Sequence, residues 1–205
     1  QHAYTWYCWG VTLCQLAETA QNDFEKQEFF EAACVKYEQA CTFDKTMASA
    51  SYFWGTTLST LALMEKEPFK RQSLLEHACS RFEETTQRDP KHTSAYYNWS
   101  RTLASLAAKK KSRSDKVKLL VESKERALQA EQCEPGKASY LLARLAVYQG
   151  DRKGVTACRK WLEKAEAHGT LPPVAELRDD KIFMNVRRLK WFKELLLRQE
   201  PRESP

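Results

Sequence analysis

Residues 49 to 63 read SASYFWGTTLSTLAL, and the stretch returns with the same landmarks 45 residues before and 45 residues after. Upstream lies TWYCWGVTLCQLA (5 to 17) and downstream SAYYNWSRTLASLA (94 to 107). Trp9, Trp54 and Trp99 share that spacing, as do Tyr7, Tyr52 and Tyr97, and Leu13, Leu58 and Leu103. Each copy has large apolar residues on one face at helical intervals, with Gly10, Gly55 or Ser100 where two helix backbones must come close. So many coincidences at one period mark a repeat, and a repeat fixes the architecture before any other signal.

The second half of each unit keeps the register. EAACVKYEQACTFD (31 to 44), EHACSRFEETTQRDP (76 to 90) and VESKERALQAEQCEP (121 to 135) align Tyr37 with Phe82, Asp44 with Asp89 and Glu134, and Pro90 with Pro135. A proline there cannot continue a helix, so it closes the unit. Composition agrees: the chain has 205 residues, 42% hydrophobic and 29% charged, with only six Gly and seven Pro. It has the apolar content for a packed core and too few breakers for a disordered or collagenous chain. The longest stretch without formal charge, Thr46 to Met64, carries seven Ser or Thr and reads as a helix of a globular domain rather than a membrane span.

These helix pairs resemble the tetratricopeptide repeat (TPR) family, over about residues 3 to 165. The resemblance implies an all-α fold, a right-handed α-solenoid of stacked antiparallel helix hairpins, in units of about 3–47, 48–92, 93–137 and 138–168. The family's usual unit is about 34 residues. The extra residues here lie between Leu58 and Ala78, and sharing nearly three helical turns between the two helices predicts taller hairpins with each apolar face in phase. In the third unit Lys109, Lys110, Lys111 and Arg113 then form an exposed tip. The fourth unit, ASYLLARLAVYQGD (138 to 151) and onward through CRKWLEKAEAHG, turns at Gly150 and Asp151 without the insertion. Ile182, Val186, Leu189, Phe192 and Leu196 predict a C-terminal capping helix within 174–199, with Asp179 or Asp180 at its start, and residues 200–205 as a loose tail.

A search for chemistry finds no GxSxG, HExxH, GxGxxG or phosphate-binding loop, and His2, His77, His92 and His168 are scattered. Seven cysteines without a CxxC pair read as small core-filling thiols in a reducing intracellular compartment. No enzyme activity, cofactor, metal or small-molecule substrate is expected. The formal charge of +6 suits an acidic partner and ordinary solubility alike.

In the TPR family helix A lines the concave groove, which places Tyr7, Tyr52, Tyr97 and Tyr140 in one row and Val11, Thr56, Arg101 and Arg144 in the next. The tyrosines either line the groove or pack between successive A helices. Arg101 and Arg144 are not repeat-invariant, and a guanidinium grips a carboxylate through paired donors, so they point to a partner with acidic segments. The family's carboxylate clamp uses Lys and Asn where this chain has Tyr and Thr, Arg or Val. The Lys109 to Arg113 run is either a solvated loop or a contact for nucleic acid, an anionic membrane surface or an acidic protein. The reading is a non-catalytic protein-protein interaction scaffold, a subunit or adaptor of a larger complex, with a mitochondrial or chloroplast interior as a plausible home. The alternative is an RNA-binding helical repeat, half-TPR or pentatricopeptide-like, the half-TPR version being suggested by Phe82 followed by Glu83.

Overall fold

A computed structural model describes residues 2–148 and 151–200. Among them are ten α-helices, one 3-10 segment and no strand: α1 (His2–Thr19), α2 (Asp23–Phe43), α3 (Ala48–Met64), α4 (Pro68–Arg88), α5 (Thr93–Lys109), α6 (Arg113–Cys133), α7 (Ser139–Val147), α8 (Arg152–Ala167), α9 (Val174–Asp179), the 3-10 segment Lys181–Asn185 and α10 (Lys190–Gln199). No helix among the described residues is long and apolar enough to cross a membrane. The chain divides into two compact units, one up to Arg126 and one from Ala127 on.

The first unit is built from repeated hairpins. Helices α2, α4 and α6 begin 45 residues apart and are each 21 residues long, while α3 and α5 also begin 45 apart. The added residues are shared as the phase argument requires: α3 runs on past Leu58 to Met64, and α4 starts at Pro68, well before Ala78. Local chemistry sets the starts. Asn22 Oδ1 accepts from Glu25 N and Glu25 Oε2 accepts in return from Gln21 N, both at 2.9 Å. Glu67 accepts from Phe69 N and Lys70 N at 2.8 Å, with Pro68 in the first turn. Between hairpins Asp44 Oδ1 accepts from Thr46 N at 2.8 Å, and Asp89 Oδ1 from Lys91 N at 3.1 Å, so the repeated Asp fastens each turn.

Within each of the first two hairpins a glycine faces an aromatic ring. A Cβ on Gly10 would lie 2.6 Å from Tyr37 Cε1, and one on Gly55 would lie 2.9 Å from Phe82 Cε1. Tyr37 and Phe82 are fully buried. In the third hairpin Ser100 stands in place of glycine, and its Oγ lies 3.0 Å from that of buried Ser123. Neighbouring hairpins meet in a repeated way too: Cys14 Sγ lies 3.4 Å from Thr57 Oγ1, and Ser59 Oγ lies 3.2 Å from Thr102 Oγ1, the same pair one period later.

The second unit holds a short hairpin, α7 with nine residues and α8 with 16. Asp151 Oδ1 caps α8 by accepting from Gly154 N at 2.6 Å. Gly150 and residues 201–205 of the expected tail lie outside the described residues. Ahead of the hairpin, buried Glu131 gathers the turn after α6: it accepts from Gly136 N (2.8 Å), Ala138 N (2.9 Å) and Ser139 Oγ (2.7 Å), and pairs with Lys164 Nζ at 2.7 Å. Gly136 has φ +92°, which favours glycine, and a Cβ there would meet His168 Cβ at 2.5 Å.

The capping segment is not the continuous helix that the spacing suggests. It is broken into α9, the 3-10 segment and α10, because Asp180 Oδ1 accepts from Ile182 N at 3.1 Å and starts a new turn, which Arg187 holds by donating to Asp180 O at 3.0 Å. The bent path buries Leu177, Phe183, Val186, Phe192 and Leu195 against Ala143, Ala146, Cys158 and Leu162. One straight helix carries only a single apolar stripe and would leave part of that set facing water. Arg198 adds a bidentate pair to Glu166, 2.8 Å for each bond.

Candidate functional site

Of the tyrosine row, Tyr7 and Tyr52 spend their rings on the neighbouring hairpin. Tyr7 lies 5.7 Å from the Phe53 ring, and the Tyr52 hydroxyl accepts from Asn98 Nδ2 at 3.2 Å while its ring sits 4.6 Å from that of His92. Tyr140 turns to the cap: its hydroxyl donates to Asp180 Oδ2 at 2.8 Å and its ring lies 5.9 Å from Phe183. Burial, and then the neighbouring Asp180 carboxylate, push the Tyr140 hydroxyl pKa up, so it stays a donor. Arg144 also serves the cap, with Nε 3.1 Å from Asp180 Oδ2. Three of the four tyrosines and one of the two arginines are thus engaged inside their own units.

Arg101 differs. It is exposed, its guanidinium lies 5.8 Å from the centre of the Tyr97 ring, and no ion pair joins it to a carboxylate among the described residues. It lines a pocket of about 150 Å³ between α3 and α5, with Thr56, Ser59, Thr60, Asn98, Thr102 and Ser105, over Leu75 and Phe82. The hydroxyl protons there are committed. Thr56, Thr60 and Ser105 donate to the carbonyls of Tyr52, Thr56 and Arg101 at 2.9 to 3.1 Å, while Ser59 and Thr102 share their protons among the Gly55 and Asn98 carbonyls and each other. Their oxygens keep lone pairs, so the wall accepts hydrogen bonds while Arg101 donates them.

Lys109 ends α5, Lys110 and Lys111 form the turn, and Arg113 begins α6, with Lys109, Lys111 and Arg113 exposed. Ser112 Oγ accepts from Asp115 N at 3.3 Å to start α6.

One feature escaped the sequence reading. Lys36 Nζ lies 4.0 Å from the centre of the Trp9 ring, Arg81 4.6 Å from Trp54 and Arg126 4.0 Å from Trp99. The cations at 36, 81 and 126 share the 45-residue spacing, which was the available signal. Each staples helix B to helix A of its hairpin. Phe82, by contrast, is fully buried against Gly55, so the ring that suggested an RNA-type repeat is part of the core.

All seven cysteines stand outside disulfides; Cys158 is buried and Cys133 exposed. Burial foremost pushes Cys34, Cys79 and Cys158 up to about 12, which keeps them protonated and poor nucleophiles. Among the described residues no group of three or more His, Cys, Asp and Glu side chains is placed to hold a metal ion.

Helix pairs returning at one period define the class: this is a helical-repeat protein with a TPR-type fold. Among solved structures the chain is similar to TTC0263, a thermophilic TPR protein of Thermus thermophilus, with a TM-score of 0.62 and 17% identity over 95% of this chain and 93% of that one. At that identity the likeness speaks for the fold alone. No family model and no curated protein matches the sequence.

Proposed function

We propose that this protein is a non-catalytic interaction scaffold that holds an acidic, extended segment of a partner protein against the α3–α5 face. The observation that carries this is the exposed Arg101 guanidinium, without a carboxylate among the described residues, beside a wall of hydroxyl acceptors. A fold of this type does not by itself assign a partner, so the reading rests on that chemistry. Seven thiols outside disulfides suit the reducing compartment expected of such a subunit. Among the described residues the pocket wall is made of hydroxyls and an amide beside one guanidinium, a cation that binds rather than transfers protons.

The test compares partners captured by the wild type and by Arg101→Glu, identified by mass spectrometry at low and high salt. An exposed guanidinium-carboxylate contact is worth about 1 kcal/mol or less, and reversal also adds repulsion, so retention should fall about fivefold or more at low salt. An unchanged partner set with Arg101→Glu overturns the reading.

A further inference from the structure

A second cleft, of about 490 Å³, opens at the tips of the second and third hairpins, between the start of α4 and the end of α5. Its floor is Leu75 and Leu106, each 4% exposed and part of one small core cluster with Ala62. Phe69 stands beside it as a wall with 84% of its surface in water. Arg71, Lys109 and Lys111 make the rim, and among the described residues no carboxylate lines the cleft.

The acids nearby are committed elsewhere. Glu67 caps α4 through Phe69 N and Lys70 N, Glu65 Oε1 accepts from Glu67 N at 2.8 Å, and Glu76 accepts from Gln72 Nε2 at 2.7 Å. Arg71 is oriented by donating from Nε to Glu65 O at 2.8 Å. No ion pair joins Lys109 or Lys111 to a carboxylate among the described residues, so the rim cations are left for something outside the chain.

We propose that this tip cleft takes a large apolar side chain of a partner protein, flanked in its own sequence by acidic residues. The apolar anchor enters against Phe69, Leu75 and Leu106 while its acidic neighbours meet Lys109, Lys111 and Arg71. Volume suits this, since pockets that enclose an organic group run from about 300 to 1,000 Å³. Shape argues for a peptide over a membrane surface: a cleft of this volume admits one inserted side chain, whereas a flat bilayer meets only its rim. The cleft is an anchor point separate from Arg101, and it rests on the scaffold reading only in assuming a protein partner.

The test uses four acetylated, amidated peptides, Asp-Glu-X-Asp-Glu-Gly with Leu, Phe, Trp or Ser at X, titrated into the 15N-labelled full chain. The apolar peptides should shift the amides of Phe69, Gln72, Lys109 and Lys111, and the Ser peptide should bind at least about fivefold more weakly, as expected when an anchor's burial is lost. Phe69→Ser, at an exposed position, and the double change Lys109→Glu with Lys111→Glu should each weaken binding by about fivefold or more, and Arg101→Ala should not. Shifts confined to the surroundings of Arg101 overturn the tip cleft and leave the groove reading standing. Equal binding of the Ser peptide, no binding of any peptide, or binding only to vesicles of phosphatidylcholine and phosphatidylserine each overturn the proposal. Tip binding that survives while Arg101→Glu changes no captured partner sinks the groove reading and keeps this one.

Discussion

Lys36 holds its ammonium 4.0 Å above the Trp9 ring, and the same pairing returns as Trp54 with Arg81 and Trp99 with Arg126. The rings differ in setting: Trp9 is 48% exposed and Trp99 only 5%. Cation-π attraction runs from about 0.5–1 kcal/mol at exposed sites to about 2 kcal/mol when desolvated. Double-mutant cycles in urea, pairing Lys36→Met with Trp9→Leu and Arg126→Met with Trp99→Leu, should give a larger coupling for the buried pair. Couplings of zero for both pairs contradict the staple.

Gly10→Ala and Gly55→Ala test the close helix approach. Alanine favours a helix by about 1 kcal/mol over glycine. Here the added methyl would press on Tyr37 or Phe82, and overpacking costs about 1–3 kcal/mol, so both changes should leave the protein no more stable or less stable in chemical denaturation. Pairing Gly55→Ala with Phe82→Leu should recover part of the loss.

Glu131 sets a pH dependence. Burial works against its charge, but the Lys164 ammonium, the Gly136 and Ala138 N–H groups and the Ser139 hydroxyl outweigh that and hold its carboxyl below the usual value of 4.5. A lowered folded pKa contributes stability that is present above the unfolded value and lost as pH falls through the folded one. Glu131→Gln should therefore cost about 3 kcal/mol near pH 7, the usual scale for breaking a buried pair, and the gap to wild type should shrink below about pH 4.5. Glu166, lowered chiefly by Arg198, moves the wild-type curve in the same direction, so the difference between the two proteins is the quantity to follow.

Thiol alkylation should run in order of exposure. Cys133 is exposed, whereas Cys34, Cys79 and Cys158 stand at about 12 through burial. Mass spectrometry after brief treatment at pH 8 should find Cys133 modified first and these three last. Early modification of Cys158 would show that the second unit opens.

The period made most of the fold legible. Tryptophan, glycine and Asp-Pro landmarks fixed which helices pair, and the length of the insertion fixed how tall the hairpins are. The cap was harder, because its break depends on Asp180 meeting Ile182, Arg187, Arg144 and Tyr140, partners that no single helical spacing reveals. Site residues were legible only in part. The sequence placed Arg101 and Arg144 in one row, and only geometry shows that Asp180 occupies one of them. The tip cleft joins Phe69 to Lys109 and Lys111 across two hairpins, a proximity that follows from stacking and not from a local motif.

Helices α2, α4 and α6 start 45 residues apart and share one length, and the Asp-fastened turns between hairpins are alike. Such a chain can be lengthened or shortened by whole cassettes cut at those turns, since each junction sees the same neighbour on either side. A cut made inside a hairpin would instead part a tryptophan from the cation of its own hairpin. Evolution and protein engineers alike would therefore change the reach of this scaffold in steps of one hairpin.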